Sequence, residues 1–381
     1  IFYATVSSVE MPDEESNDLI GNIFFYCSDP YKYGPELEAT FPSDAVTVTN
    51  NGTAPAKPIF ELDVNESTTF AMVSNGEEYL MMGRPVEEGE DTAIEPLTTV
   101  TDKKLNTFVG WNDIAGGFAF NDPLGEGIVA GNFSIGNGQW YVSNWGTNPN
   151  GWHGPAKRTS LGEALQDFQV DYYISNLNFV GQMGKNVLML TDANNNIIAS
   201  MGAVDRTLAV GYYGRVQFYL GGEKRIFDFR GFNNQQVLLR LKREGNLFTA
   251  TAYQLDDNSN TTASRTETFT DTLLEYQQPI TQATIYLASY KQYQATRMYA
   301  NRIIASKVND VTADKVPIIA HPGDKIEMDF ATRALRINGE LRNDLISMGS
   351  QFFKLEPGVN NIVIAPEESF NTTIRYREPF K

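Results

Sequence analysis

Apolar and polar residues alternate with a period of two along most of this chain, and no long stretch carries a helical period. Ile326, Met328 and Phe330 alternate with Glu327 and Asp329, the pattern of a strand with one buried face. Phe168 to Ile174 alternates in the same way. Such runs are short and are punctuated by Gly, Asn and Asp, so they predict many strands joined by tight turns. Asn338-Gly339 and Asn75-Gly76 predict hairpins, because both central positions of the favoured two-residue turn need positive φ. Val187 to Leu190 and Ile197 to Ala199 flank Asp192-Ala193-Asn194-Asn195-Asn196 as a further hairpin, and Val237 to Leu241 and Leu247 to Tyr253 flank Glu244-Gly245-Asn246 as another. The helices expected are short, such as Ser160 to Gln166. The fold class is all-β.

Length and charge narrow this picture. The chain has 381 residues, enough for two or three domains. Its formal net charge of −17 argues against nucleic-acid binding over most of the surface, since that affinity comes from Lys and Arg. Cys27 is the single cysteine, and it follows the apolar run Ile23-Phe24-Phe25-Tyr26, so it is expected to be a buried, inert thiol. No apolar run approaches the roughly 20 residues of a membrane-spanning helix, and no membrane insertion is expected. Ile1-Phe2-Tyr3 has neither a basic start nor a cleavage site, and the chain is expected to begin inside a domain.

Several blocks resemble one family. Leu355-Glu356-Pro357-Gly358-Val359-Asn360, the Asn338-Gly339 turn and the final strand Ile374 to Phe380 are similar to the C-terminal end of the distal tail proteins of long-tailed phages. Asp29-Pro30-Tyr31-Lys32-Tyr33 resembles the end of that family's first, ring-forming domain. Val48 to Leu62, with Asn51-Gly52-Thr53 and Pro58-Ile59-Phe60, resembles the opening of its galectin-like sandwich. The resemblance implies three parts. Residues 1–43 are the remnant of the ring-forming domain. Residues 44–100 and 310–381 form a galectin-like sandwich split in two. Residues 101–309 are an inserted lectin-like jelly roll, similar to carbohydrate-binding modules of "evolved" distal tail proteins. The segments around Pro85 to Asp91 and Val308 to Asp310 are the expected linkers.

In such a protein the implied role is structural and adhesive. It would sit in the hub of the baseplate at the virion tail tip, after assembly in the host cytoplasm. Its partners would be the tail tube, tail-associated fibre or lysin proteins and host cell-surface polysaccharide, and the intact protein would be a homo-hexamer. With the ring-forming domain largely missing, this chain is expected to be monomeric or weakly associated.

Candidate chemistry concentrates in the insertion. Trp140, Tyr141, Trp145, Trp152 and His153 fall in a Gly/Asn-rich stretch. An indole can stack on the C–H face of a sugar while Asn or His hydrogen-bonds its hydroxyls. The competing reading packs these indoles in the core and makes Trp152-His153-Gly154-Pro155 a loop anchor. Asp192 to Asn196 lacks the Gly and Glu that a calcium loop needs, so a hairpin turn is the better reading. Arg225 and Arg230 read as the solvent face of a strand, with contact to an anionic wall polymer as the alternative.

No catalytic residue, metal site or cofactor is expected. GxSxG, HExxH and GxxxxGK motifs are absent, and two histidines make a triad hard to build. The alternatives left open are a cell-wall glycan hydrolase in the insertion, which needs only two carboxylates, or a purely architectural insertion.

Overall fold

The computed structural model describes residues 5–10, 22–27, 29–87, 92–177, 180–208, 214–312 and 314–381. Within these the chain is built of strands, with one 3-10 turn at Asn343–Leu345. It divides into two compact units, residues 1–94 with 311–381 and residues 95–310. The acidic loop over residues 10–18 falls, beyond Glu10, outside the described residues, as does the linker from 88 to 91.

The first unit is a two-sheet sandwich. One sheet has the strand order Lys32–Thr40, Phe370–Phe380, Ile59–Val64, Lys325–Asp329, Ala334–Ile337 and Glu340–Leu341. The other runs Ala45–Asn50, Gly358–Ala365, Phe70–Ser74 and Tyr79–Gly83. Sequence-distant strands alternate in both. Phe60 stands opposite Met328 on one side and Ile374 on the other. The period of two decides what is buried: Phe60, Leu62, Ile326, Met328, Ile362, Ile364 and Ile374 are all fully buried. Each such side chain contributes roughly 1.5–3 kcal/mol of transfer free energy. Lys32–Thr40 is hydrogen-bonded to Phe370–Phe380, so this strand is part of the sandwich sheet.

Asn338 and Gly339 have φ of 51° and 80°, as the two-residue turn requires. The Asn75-Gly76 turn differs. Ser74 pairs with Tyr79 across a four-residue loop, and the Asn75 carboxamide accepts from Glu77 N and Glu78 N instead of entering the left-handed region. Thr5–Val9 and Ile23–Tyr26 form an antiparallel ribbon whose residues are all exposed. Cys27 is exposed beside it, which corrects the expectation of a buried thiol: the apolar run it follows does not enter a core.

The second unit is a larger two-sheet sandwich. An eleven-stranded sheet, containing Trp152–Gly154, Ala156–Leu165, Gln182–Thr191, Ile197–Asp205, Arg215–Leu220, Lys224–Arg230 and Ile280–Tyr290, faces an eight-stranded one. The latter contains Gln139–Asn144, Phe168–Leu177, Gln235–Glu244, Leu247–Leu255 and Arg297–Val308. Leu97–Lys104 pairs with Arg297–Val308, which carries residues 97–100 into this unit. Trp140, Phe168, Tyr172, Leu188, Phe218, Leu239 and Ile285 belong to the core between the sheets. The segment Ser160 to Gln166 is not helical. Residues 160–165 lie in the strand Ala156–Leu165, where Gly162 at φ 94° breaks the regular run, and buried Leu161 and Leu165 mimic the spacing of a helix face.

Candidate functional site

Alternation puts a second set of side chains on the outer face of the eleven-stranded sheet. Leu188 and Leu190 point into the core, so Val187 and Met189 point out; Ile285 and Leu287 point in, so Tyr286 and Ala288 point out. These outward residues would be wet were the segment 118–129 not laid across them. Phe120, Leu124 and Val129 cover Val187, Met189, Trp152 and Tyr286 in a separate small cluster.

One ion pair pins this segment. Lys185 Nζ lies 2.5 Å from Asp122 Oδ2, and both side chains are fully buried. Lys185 also donates to Gly125 O and sits over the rings of Trp152 and Tyr286, at 5.4 and 4.9 Å. Burial pulls the ammonium below its ordinary pKa, opposed by Asp122. Burial, with the Asp122 charge, pushes the Tyr286 phenol up, and its hydroxyl donates to Ile128 O at 3.0 Å. Gly125 sits at φ 124° against the Trp152 indole, where a Cβ would lie 2.8 Å from Nε1.

Around this segment lie three cavities. The first, about 280 Å³, has Phe118, Asn121, Arg158, Met189, Asn195 and Thr284 in its lining. The second, about 640 Å³, shares Ala119, Phe120 and Asn121 with the first and adds Glu126, Asn150, Trp152 and Tyr290. The third, about 500 Å³, shares Asn148 with the second and adds Trp145, His153, Lys291, Gln292, Tyr293 and Gln294. Shared walls make the three neighbours. Their chemistry is mixed: half-exposed aromatic rings stand beside carboxamides and hydroxyls, with few charges. Phe118 is 46% exposed and Tyr293 43%.

Local hydrogen bonds tie the walls of the third cavity together. Gly146 N bonds Asn144 Oδ1 and Asn150 N bonds Asn148 Oδ1, while Lys291 N reaches across to Gly151 O at 3.0 Å. Tyr293 stacks on Tyr290 with ring centres 6.4 Å apart, and Tyr290 in turn packs on Trp152.

The residues singled out in the sequence do not form one platform. Trp140 is fully buried between the sheets, against Trp111, Phe108 and Phe133, and its Nε1 donates to Thr107 O. Tyr141, its neighbour on the same strand, is half-buried on the opposite face. Trp152 and His153 are 6% and 4% exposed. Trp140 packs in the core between the sheets, Trp152 packs on the outer face beneath Phe120 and Leu124, and His153 is buried beside it on the same strand. Trp145 and His153 do line the third cavity, and Trp152 the second. Arg225 shares Asp228 with Arg215, as befits a charged strand face, and Asp192 caps Asn194 N and Asn196 N in a hairpin turn. Among the described residues no group of three or more His, Cys, Asp or Glu is placed to hold a metal ion.

Sequence reasoning missed Phe118, Asn121, Tyr290 and Tyr293. The signals were there: Gly116-Gly117 before Phe118-Ala119-Phe120-Asn121, and the polar turn Lys291 to Gln294 between two long strands.

Residues 298–380 match the family model of the siphovirus-type tail component, C-terminal domain. The match takes in the last long strand of the second unit and the closing strands of the first. No curated protein matches the sequence. Among solved structures, the CBM2 module of the evolved Dit of Lactobacillus casei BL23 phage J-1 is 15% identical, with a TM-score of 0.47 over 57% of this chain and 100% of that one. The laminarinase catalytic domain from Thermotoga maritima MSB8 is 10% identical, with a TM-score of 0.38 over 57% and 100%. Peanut lectin is 8% identical, with a TM-score of 0.33 over 55% and 99%. Residues 298–380 are thus similar to the C-terminal domain of siphovirus-type tail components.

Proposed function

We propose that this protein is an adhesin of the phage tail tip, and that its 95–310 unit holds a largely neutral saccharide of the host cell wall in the three neighbouring cavities. The carrying observation is that set of cavities, with Phe118, Tyr290, Trp145 and Tyr293 interleaved with Asn121, Asn148, Gln292 and Gln294. Apolar ring faces suit the C–H faces of a sugar, and carboxamides suit its hydroxyl rim. Neighbouring sub-sites suit a polymer better than a single sugar. In a hexameric hub between tail tube and fibre, weak sites act together, and avidity gains of 10²-fold or more make a site of roughly millimolar affinity sufficient.

Binding rather than turnover is favoured because, among the described residues, Glu126 is the one carboxylate in the three linings, where glycoside hydrolysis takes a pair. The test is retention of the purified chain on cell-wall polysaccharide, with release of reducing sugar followed in parallel. Phe118→Ala and Tyr293→Ala remove exposed rings, so each is expected to lower retention about tenfold while leaving the melting temperature within about 2 °C of the parent. Retention unchanged in both variants would make the unit architectural. Sugar release by the parent chain would make it a hydrolase.

A further inference from the structure

The first unit carries a cavity of about 660 Å³ whose chemistry is unlike that of the three just described. It lies on the outward face of the six-stranded sheet, where Arg375 and Arg377 alternate with the buried Ile374 and Tyr376. Lys57 and Lys354 enter from two loop segments joined by the bridge between Ala56 and Leu355. Ala56 N donates to Leu355 O and Leu355 N to Ala56 O, both at 2.9 Å. In this antiparallel register Lys57 and Lys354 are direct cross-strand neighbours. Ala56 and Leu355 turn into the core, so both lysines turn outward. Tyr31 and Tyr33 supply aromatic surface in the same lining.

The charge balance of this cavity runs against that of the chain. The lining has four cations and two acids in a protein of net charge −17. Both acids are already engaged. Asp29 accepts from Tyr31 N and from Tyr33 Oη, at 3.1 and 2.7 Å. Glu36 lies 3.5 Å from Arg377 and 4.0 Å from Arg375, and Arg375 also binds Glu61. Among the described residues Lys57 and Lys354 have no hydrogen-bond or ion-pair partner. Like charges directly opposite one another on paired strands are destabilising, so this pair costs the unit stability and is given nothing in return by its neighbours. An anion bound between the two ammonium groups would supply the missing partner.

We infer that this cavity is a second binding site, for a phosphate ester carried on a sugar- or polyol-sized unit. A phosphate monoester has between one and two negative charges near neutral pH, which matches two unpaired ammonium groups. Lysine ammoniums serve phosphate as point charges without a fixed fork geometry. The volume exceeds what a bare phosphate fills, and the Tyr31 and Tyr33 rings offer a surface to the organic part. This site is independent of the saccharide cavities in the other unit.

The test uses the full chain and isothermal titration with glucose 6-phosphate at low salt, beside inorganic phosphate, glucuronate and glucose. Saturable binding of glucose 6-phosphate is expected, several-fold tighter than inorganic phosphate or glucuronate, with glucose inert. Raising salt from about 50 to 200 mM should weaken it several-fold, since exposed charge pairs are screened. The double variant Lys57→Gln with Lys354→Gln should lose at least tenfold in affinity and melt no lower than the parent, because a repulsive pair has been removed. Phe118→Ala and Tyr293→Ala should leave glucose 6-phosphate binding untouched. Absence of saturable binding, or binding that survives the double lysine variant, overturns the inference. Glucose binding as tightly as its phosphate overturns it as well.

Discussion

Replacing Asp122 by alanine leaves the Lys185 ammonium buried without its counter-charge. Both side chains are fully buried and their charged atoms lie 2.5 Å apart. Removing one member of such a pair costs about 3–5 kcal/mol, chiefly because the other charge stays in a poorly solvating place. Lys185 keeps Gly125 O and the faces of Trp152 and Tyr286, which places the cost near the lower end, about 3 kcal/mol. For a unit of this size each kcal/mol moves the melting temperature by roughly 2–4 °C, so Asp122→Ala should lower the transition of the 95–310 unit by about 6–12 °C. The assay is differential scanning calorimetry of the full chain. The double variant Asp122→Leu with Lys185→Met replaces the pair by apolar groups of similar size and should recover to within about 1–2 kcal/mol of the parent. Since Asp122 follows Ala119, Phe120 and Asn121, which line two of the cavities, Asp122→Ala should also weaken wall binding. A melting temperature within 1 °C of the parent for Asp122→Ala would refute the view that this pair holds the segment down.

Three further outcomes are expected. Trp140→Ala empties a fully buried site and should cost about 3–5 kcal/mol by denaturant titration, while the folded fraction keeps its affinity for wall polysaccharide. Gly154→Ala drives a Cβ into Leu287 O, where Trp152–Gly154 is laid on Ile280–Tyr290, and should abolish soluble expression or cost more than about 3 kcal/mol. The hydrogen bond from Arg302 to Asp102, 2.7 Å at Nε, holds that carboxyl below its ordinary value. Its contribution is present above the unfolded aspartate pKa near 4 and is lost as pH falls through the lower folded value, so Asp102→Asn should cost up to about 1 kcal/mol at pH 7 and progressively less as the pH is taken below 4.

The strands were legible in the sequence because a period of two is a direct record of which face is buried. Ile326-Met328 and Phe168 to Ile174 are examples, and Asn338-Gly339 declared its own turn through its φ requirement. Ser160 to Gln166 misled because Leu161 and Leu165 are spaced as on a helix, while Gly162 bends the strand. Asn75-Gly76 marked its hairpin, Phe70–Ser74 with Tyr79–Gly83, but not the loop length, because the Asn75 side chain caps a four-residue loop. The binding face was the least legible part. Residue type marks Trp140 and Trp145 alike, but whether an indole faces a core or a cavity depends on which sheet its strand joins. That pairing is fixed by partners such as Ala300, far along the chain from Trp140. Phe118, Trp145 and Tyr293, which face the cavities, lie outside the strands, where periodicity carries no information.

The interleaving of the first sandwich sets an order of events during synthesis. Glu61 and Arg375, partners on adjacent strands, are 314 positions apart in sequence. When Ile59–Val64 leaves the ribosome, both neighbours of that strand are still unmade, whereas the 95–310 unit has all of its own strands before residue 311 appears. The guest therefore matures first, and the host's early strands wait with unpaired edges and apolar faces until residues 325–380 arrive. Contacts this distant form slowly, and the waiting interval is when the nascent chain is most exposed to aggregation and most dependent on chaperones.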